Sequence, residues 1–235
     1  MKPRIAITRA QPGLSETAAR VRALGGEPVA APLLHIEPVA FDADISGAQA
    51  LLFTSANGVR AFSQASAERG GAVLTVGDAS AEAARAAGFT NVRSADGDVA
   101  ALATLAQAEL SPQAGAVLHI AGEHVSGDLS GALKAAGFAA ERRIAYTARV
   151  VTELPAAIAR PLDIIMFHSA RAARVFVEFG APGADRLIAA CLSPAVAEAA
   201  GEAMWRTLIV APAPREADLL AALPGLPDSP AGASA

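Results

Sequence analysis

Cysteine is almost missing from this chain: Cys191 stands alone among 235 residues. One thiol can form neither an internal disulfide nor a cysteine-based metal cluster. Lysine occurs only at positions 2 and 134, so the basic residues are nearly all arginine. Aromatic residues make up 4%, with one tyrosine, Tyr146. An excess of positive charge is lacking too. The formal net charge is −4 and no run of like charges occurs, which gives no general attraction to nucleic acid or to an anionic membrane. No stretch approaches the roughly 20 apolar residues of a spanning helix, and no apolar signal region precedes the first strand, Arg4-Ile5-Ala6-Ile7-Thr8. These absences lead us to expect a cytoplasmic protein with no nucleic-acid or membrane partner.

Familiar site signatures are absent as well. There is no Walker loop and no G-x-G-x-x-G after a strand, which argues against ATP or a dinucleotide. There is no G-x-S-x-G elbow. Of the four histidines (35, 119, 124 and 168), only His119 and His124 are close, five positions apart across a strand–helix turn; no metal site is expected there. Cys191, within Ala189-Ala190-Cys191-Leu192, reads as a buried strand residue. A receiver-like pair of domains would need an acidic phosphoacceptor cluster at strand ends, but Asp78 stands without acidic neighbours.

What is present is apolar and periodic. Hydrophobic residues reach 53% against 18% charged, ample for a core. Leu51-Leu52-Phe53-Thr54-Ser55-Ala56-Asn57 is an apolar run stopping at small hydroxyl residues where a helical pattern begins, as a buried parallel strand does when it feeds a capped helix. The same sentence recurs 114 positions later, and 53–62 and 167–176 share five of ten residues. Leu74 to Ala84 likewise resembles Ala190 to Ala200, and 4–34 loosely resembles 117–145. A repeat of this size decides the architecture before any motif does.

Strands are predicted at 4–8, 28–34, 50–53, 73–76, 91–94, 117–120, 140–145, 163–167, 188–192 and 207–210. Helices alternate with them, at 56–69, 79–87, 99–110, 127–136, 155–160, 170–179, 195–200 and 216–223, besides one from Leu14 to Leu24 stopped by Gly25-Gly26. The fold class is therefore α/β, with two lobes, each a five-stranded parallel sheet flanked by helices. Two extended stretches, 36–41 and 144–150, are too long for tight turns and read as connectors that carry the chain from one lobe to the other. One lobe would hold 1–35 with 151–228 and the other 42–143. Two consecutive lobes split near 114 are the alternative, which leaves both connectors unexplained. The segment 229–235, rich in small residues, is expected to be disordered.

Ligands of open α/β sheets bind beyond the carboxyl ends of the strands. The turns expected there are Thr8-Arg9, Thr54-Ser55-Ala56-Asn57, Gly77-Asp78-Ala79-Ser80, Ala121-Gly122-Glu123, His168-Ser169-Ala170-Arg171 and Ser193-Pro194. Most open a helix and so offer backbone N–H groups and the positive end of a helix dipole, enough to hold a carboxylate or phosphate without a basic side chain. Ordinary helix capping is the competing reading of each turn. Tyr146 falls in the second connector, where its phenol could donate a proton or simply fill space.

In order and spacing, several fragments resemble the uroporphyrinogen-III synthase family over about 1–223. They are Ile7-Thr8-Arg9, Ala31-Pro32-Leu33-Leu34-His35-Ile36-Glu37-Pro38, Phe53-Thr54-Ser55-Ala56-Asn57-Gly58-Val59, Val76-Gly77-Asp78-Ala79-Ser80-Ala81, Ile144-Ala145-Tyr146-Thr147 and Ile165-Met166-Phe167-His168-Ser169. The resemblance implies two α/β lobes joined by two extended segments, with the site in the cleft. It also implies a cofactor-independent lyase of tetrapyrrole and haem biosynthesis. Such an enzyme closes linear hydroxymethylbilane into a macrocycle, expels the ring-A hydroxyl as water and inverts ring D through an azafulvene cation and a spiro intermediate. It implies further that Tyr146 is the proton donor. Ser55, Ser80, Ser169 and the backbone near Ala195 would hold substrate carboxylates. With the neighbouring turn residues, the expected substrate-binding set is Thr8, Arg9, Thr54, Ser55, Ala56, Asp78, Ser80, Gly122, His168, Ser169, Ala170, Pro194, Ala195 and Val196. A monomer is expected, with hydroxymethylbilane synthase as a candidate partner. The chain departs from the family pattern at Asp78, where Pro is common, and at Ala121, where a basic residue is common. It departs also at His168, where Thr is usual, and at Val196, where a hydroxyl is usual. A non-catalytic two-lobe module binding a small polyanion is the alternative function.

Overall fold

The computed structural model describes residues 2–125 and 127–226; the segment 229–235, expected to be disordered, and the lobe end at 228 lie outside these. The chain divides into two compact units, Met1–His35 with Arg149–Ala235, and Ile36–Ala148.

The first unit contains β1 (Arg4–Ile7), α1 (Gly13–Ala23), β2 (Glu27–Ala30), β9 (Ile164–Phe167), α6 (Ala170–Glu178), β10 (Ile188–Cys191), α7 (Pro194–Ala200), β11 (Thr207–Val210) and α8 (Glu216–Ala221). Its five strands run in the order β11-β10-β9-β1-β2, all parallel. Alternate strand residues feed two cores. Ala6, Ile165, Phe167, Ala189 and Cys191 pack under α6 and α7. Ile5, Ile7, Ile164, Met166, Ile188 and Ala190 pack under α1 and α8.

The second unit contains β4 (Ala48–Phe53), α2 (Ala56–Ala65), β5 (Ala72–Thr75), α3 (Asp78–Ala86), β6 (Val92–Ser94), α4 (Val99–Glu109), β7 (Ala116–Gly122) and α5 (Leu129–Ala135). Its sheet also takes in β3 (Leu34–Pro38) and β8 (Ala140–Val150), giving the order β3-β8-β7-β4-β5-β6. The expected five strands are therefore six. The segments read as connectors are strand, 144–150 throughout, as part of the 11-residue β8, and 36–41 as far as Pro38; beyond β3 the N–H of Val39 still donates to the Ala145 carbonyl. Pro38 ends an edge strand, where a missing N–H costs nothing in the ladder. Leu51, Phe53, Val73, Leu118 and Ile120 pack under α2 and α3, and Ala50, Leu52, Leu74 and Val117 under α4 and α5. The helix expected over 155–160 is a single 3₁₀ turn, Ala156–Ala159.

The sequence repeat has a packing cause. Phe53, Phe62 and Phe89 form a cluster of rings with centroids 6.1–6.3 Å apart. Phe167, Phe176 and Trp205 do the same at 5.7–5.9 Å, within the range where aromatic pairs attract beyond their buried area. Trp205 stands 116 positions after Phe89, the spacing that relates Leu74–Ala84 to Ala190–Ala200.

One contact distinguishes the two copies. A Cβ placed on Gly58 would lie 2.6 Å from the Ile120 carbonyl oxygen, so the first turn of α2 sits directly on the β7 backbone. The corresponding residue in the other copy is Ala172. Ala at an open helix position is favoured over Gly by about 1 kcal/mol. Gly58→Ala should instead destabilise by about 1–3 kcal/mol, the usual cost of overpacking. Urea unfolding of the variant checks this, and a gain in stability would show that the contact is slack.

Candidate functional site

The carboxyl ends of β4 and β7 bring together one set of the expected residues. Ser55 caps α2: its hydroxyl accepts from the N–H of Asn57 at 3.1 Å. Ser55 lies close enough to the Tyr146 phenol, which is 9% exposed, to favour its ionised form. Burial pushes the phenol above its ordinary value, against the opposing effects of Ser55 and of the Arg142 charge. Tyr146 therefore carries its proton at neutral pH.

Gly122 closes β7 beside a bulge and is paired in register with Tyr146. A Cβ on Gly122 would meet the Tyr146 ring at 2.7–2.8 Å and its hydroxyl at 3.0 Å, so glycine is what lets the ring lie there. Thr54 places its hydroxyl 3.1 Å from His119 Nε2. His119 is 3% exposed. Burial, with a smaller effect of Arg142, lowers its pKa to about 4. It is neutral at pH 7 and joins Thr54 as a hydrogen-bond partner. Ala56 is the first residue of α2, and its N–H has no acceptor within the helix.

Asp78 is the exposed first residue of α3, whose N-cap is Gly77 with no side-chain cap. Ser80, two residues on, is 5% exposed and its N–H returns to the Gly77 carbonyl. Its hydroxyl is thus held inside rather than displayed.

In the first unit the expected residues meet a different environment. Thr8 is fully buried and its hydroxyl donates to the Met166 carbonyl at 2.6 Å. The Arg9 guanidinium folds back over Gly13 to Thr17 at 3.2 Å and the Glu216 carboxylate at 3.4 Å. Arg20 pairs with the same carboxylate. His168 Nε2 lies 3.5 Å from Glu216 Oε1, with both side chains largely buried. Burial pushes His168 down against the pull of Glu216. Burial opposes the ionisation of Glu216, but His168, Thr17 and Arg9 outweigh it and hold the carboxyl at about 2.

Ser169 caps α6 through the N–H of Ala172 at 3.2 Å, and Ala170 opens that helix. Ser193 caps α7 through the N–H of Val196 at 3.4 Å. Pro194 and Ala195 are exposed, and proline has no N–H to offer. Val196 is a core residue, 4% exposed. Its apolar side chain, where a hydroxyl is usual in the family it resembles, serves packing, and its N–H is already taken by the cap.

Glu216, Thr17 and Arg142 were not among the residues expected at either site. Glu216 lies 207 positions from Arg9, and no local pattern marks it. Among the described residues no group of three or more His, Cys, Asp or Glu could hold a metal ion. Nor is any helix among them long and apolar enough to cross a membrane.

A family model for uroporphyrinogen-III synthase HemD matches residues 15–221. No curated protein sequence matches the chain significantly. Among solved structures, uroporphyrinogen-III synthetase from Helicobacter pylori superimposes with a TM-score of 0.66 at 13% identity, over 94% of this chain and 97% of that one. A mutant uroporphyrinogen III synthase from Thermus thermophilus gives a TM-score of 0.55 at 19% identity, over 88% and 92%. At these identities the likeness speaks for the fold.

The neutral His119 makes stability depend on pH. Its folded pKa of about 4 lies below the ordinary 6.5, so the unfolded chain binds the proton first as pH falls through 6.5. Stability is full above that value and is lost progressively down to about 4. The loss should reach about 2 kcal/mol by pH 5. Buried His168 acts in the same direction, and Glu216 adds its own loss only between about 4.5 and 2. Urea midpoints at pH 7 and 5 should differ clearly less in His119→Gln than in the parent. An unchanged difference would mean that His119 is not held neutral.

Proposed function

The chain belongs to the uroporphyrinogen-III synthase family, and from that premise we propose how its residues carry the reaction. Its activity is the cyclising, dehydrating closure of hydroxymethylbilane to uroporphyrinogen III, with ring D inverted. The observation that carries the assignment of roles is the buried, protonated Tyr146 phenol beside the Ser55 cap of α2.

Loss of the ring-A hydroxyl needs a proton, because hydroxide is a poor leaving group. A phenol that stays protonated at neutral pH can donate it as the C–O bond breaks. The phenolate left behind is stabilised by the Ser55 hydroxyl and by the Arg142 charge, both of which favour the ionised form. After ring closure the phenolate can recover its proton from the ring-D carbon system or from water. Catalysis here calls on no metal or organic cofactor.

The substrate's eight carboxylates need partners, yet the chain's net charge is −4. Long-range attraction is weak, since charge is screened beyond roughly 8 Å at physiological salt. We assign carboxylate binding to the N–H groups that open α2, α3, α6 and α7, from Ala56, Asp78, Ala170 and Ala195, beside the Ser55, Ser169 and Ser193 caps. These are donors with no intrahelical acceptor, reinforced by the helix dipole. Thr54 and Gly122 flank Ser55 and Tyr146 at the ends of β4 and β7. Thr8, Arg9 and His168 support the first unit's turns from behind. A cytoplasmic monomer, fed by hydroxymethylbilane synthase, completes the proposal.

A coupled assay with porphobilinogen and hydroxymethylbilane synthase tests the activity: type III product must exceed the spontaneous type I isomer. Type I alone would leave a polyanion-binding module as the better reading. Tyr146→Phe should lower kcat about 100-fold or more, in line with loss of a general acid, while KM changes little. An unchanged kcat would return Tyr146 to a space-filling role.

A further inference from the structure

The turn that leaves β7 is held by a residue outside the substrate-binding set. Arg142, on β8, extends its guanidinium to two successive carbonyls: Nη2 donates to Gly122 O at 2.6 Å and to Glu123 O at 2.5 Å. The same turn is fastened to β8 at two further points. The Glu123 N–H donates to the Tyr146 carbonyl at 2.9 Å, and the Thr147 hydroxyl donates to the Glu123 carboxylate at 2.6 Å. Gly122 is the platform on which the Tyr146 ring lies.

We propose that Arg142 is a positioning residue for Tyr146, clamping the Gly122–Glu123 carbonyls so that the phenol is held against the α2 start with a permanent positive charge nearby. An arginine suits this task. One of its terminal nitrogens, Nη2, meets both carbonyls, and an arginine side chain stays charged across the physiological range. The cost of partly burying a guanidinium indicates that the arrangement is specific: Arg142 Nε is buried and has no hydrogen-bond partner among the described residues, a loss normally avoided. The charge reaches both titratable neighbours. It favours the phenolate of Tyr146 and the neutral form of His119. Arg142 thus makes Tyr146 a readier donor while keeping the adjacent imidazole from competing as a cation.

The inference rests on Tyr146 being the proton donor, but its test need not. Tyr146 is the only tyrosine in the chain, so tyrosinate absorbance follows this phenol directly, with circular dichroism recorded alongside to mark the limit of the folded state. In Arg142→Gln, tyrosinate should appear about one pH unit higher than in the parent, the scale expected for a lost nearby charge. Arg142→Lys separates the two contributions. A shift in Gln alone assigns the effect to charge, and a shift in both assigns it to the two-carbonyl clamp; either supports the proposal. In the coupled assay Arg142→Gln should lower kcat about tenfold with KM within about twofold. A Gln variant whose phenol titrates as in the parent overturns the proposal, whether or not the parent proves to be a synthase.

Discussion

Ile5, Ala6 and Ile7 are all fully buried although successive side chains point to opposite faces of the sheet. A strand of this kind must be covered on both sides, and a parallel neighbour can be reached only through a crossover that supplies the cover. Strand, turn, helix and return strand follow as one unit, repeated through both halves of the chain. The consequence for function is geometric. Every covering helix starts where its strand ends, so helix N-termini with their unpaired N–H groups gather at the carboxyl edge of each sheet. The burial requirement and the turns' unpaired N–H groups are therefore one arrangement seen from two ends.

The two copies of the strand–turn–helix sentence share this framework and diverge in what they place on it. Thr54 and His168 occupy equivalent positions. Thr54 turns to a neutral imidazole, His119, whereas His168 faces an ionised carboxylate, Glu216, itself held by Arg9 and Arg20. Gly58 allows α2 to approach β7 as Ala172 need not allow α6 to approach its neighbour. That approach sets the α2 start, and with it Ser55, near the phenol that β8 delivers. One copy became a close-packed turn beside the phenol, and the other a turn backed by a buried ionic cluster.

Much of the framework was legible in the residues because short apolar runs closed by Ser, Gly or Asp carry their own punctuation. Ser55, Ser169 and Ser193 could be read as caps before any coordinates, and they cap. The edge strand β3 was not legible. Its five residues, Leu34 to Pro38, show neither alternation nor a buried run, and only pairing with β8 makes them strand. Val196 was named through the resemblance alone, and its side chain packs in the core. Glu216 and Arg142 stayed hidden because their partners are distant in the chain or are backbone carbonyls, which no side-chain pattern reveals.

The arginines explain how an acidic chain can suit a polyanionic substrate without relying on them. Arg4 pairs with Glu27, Arg93 with Glu109, Arg143 with Asp42 and Glu141, and Arg215 with Asp218. Arg69 and Arg142 spend donors on carbonyls. Guanidinium groups so engaged organise turns and strand ends more than they attract ligands. On the reading proposed above, carboxylate recognition falls to backbone N–H groups, whose partial charges are fixed in direction by the helices that carry them. Such donors act only at contact range, so they reward a substrate folded to fit and give little to an extended one. For a reaction whose difficulty lies in choosing which ring carbon closes the macrocycle, shape-dependent recognition of this kind is better matched than a broad positive field.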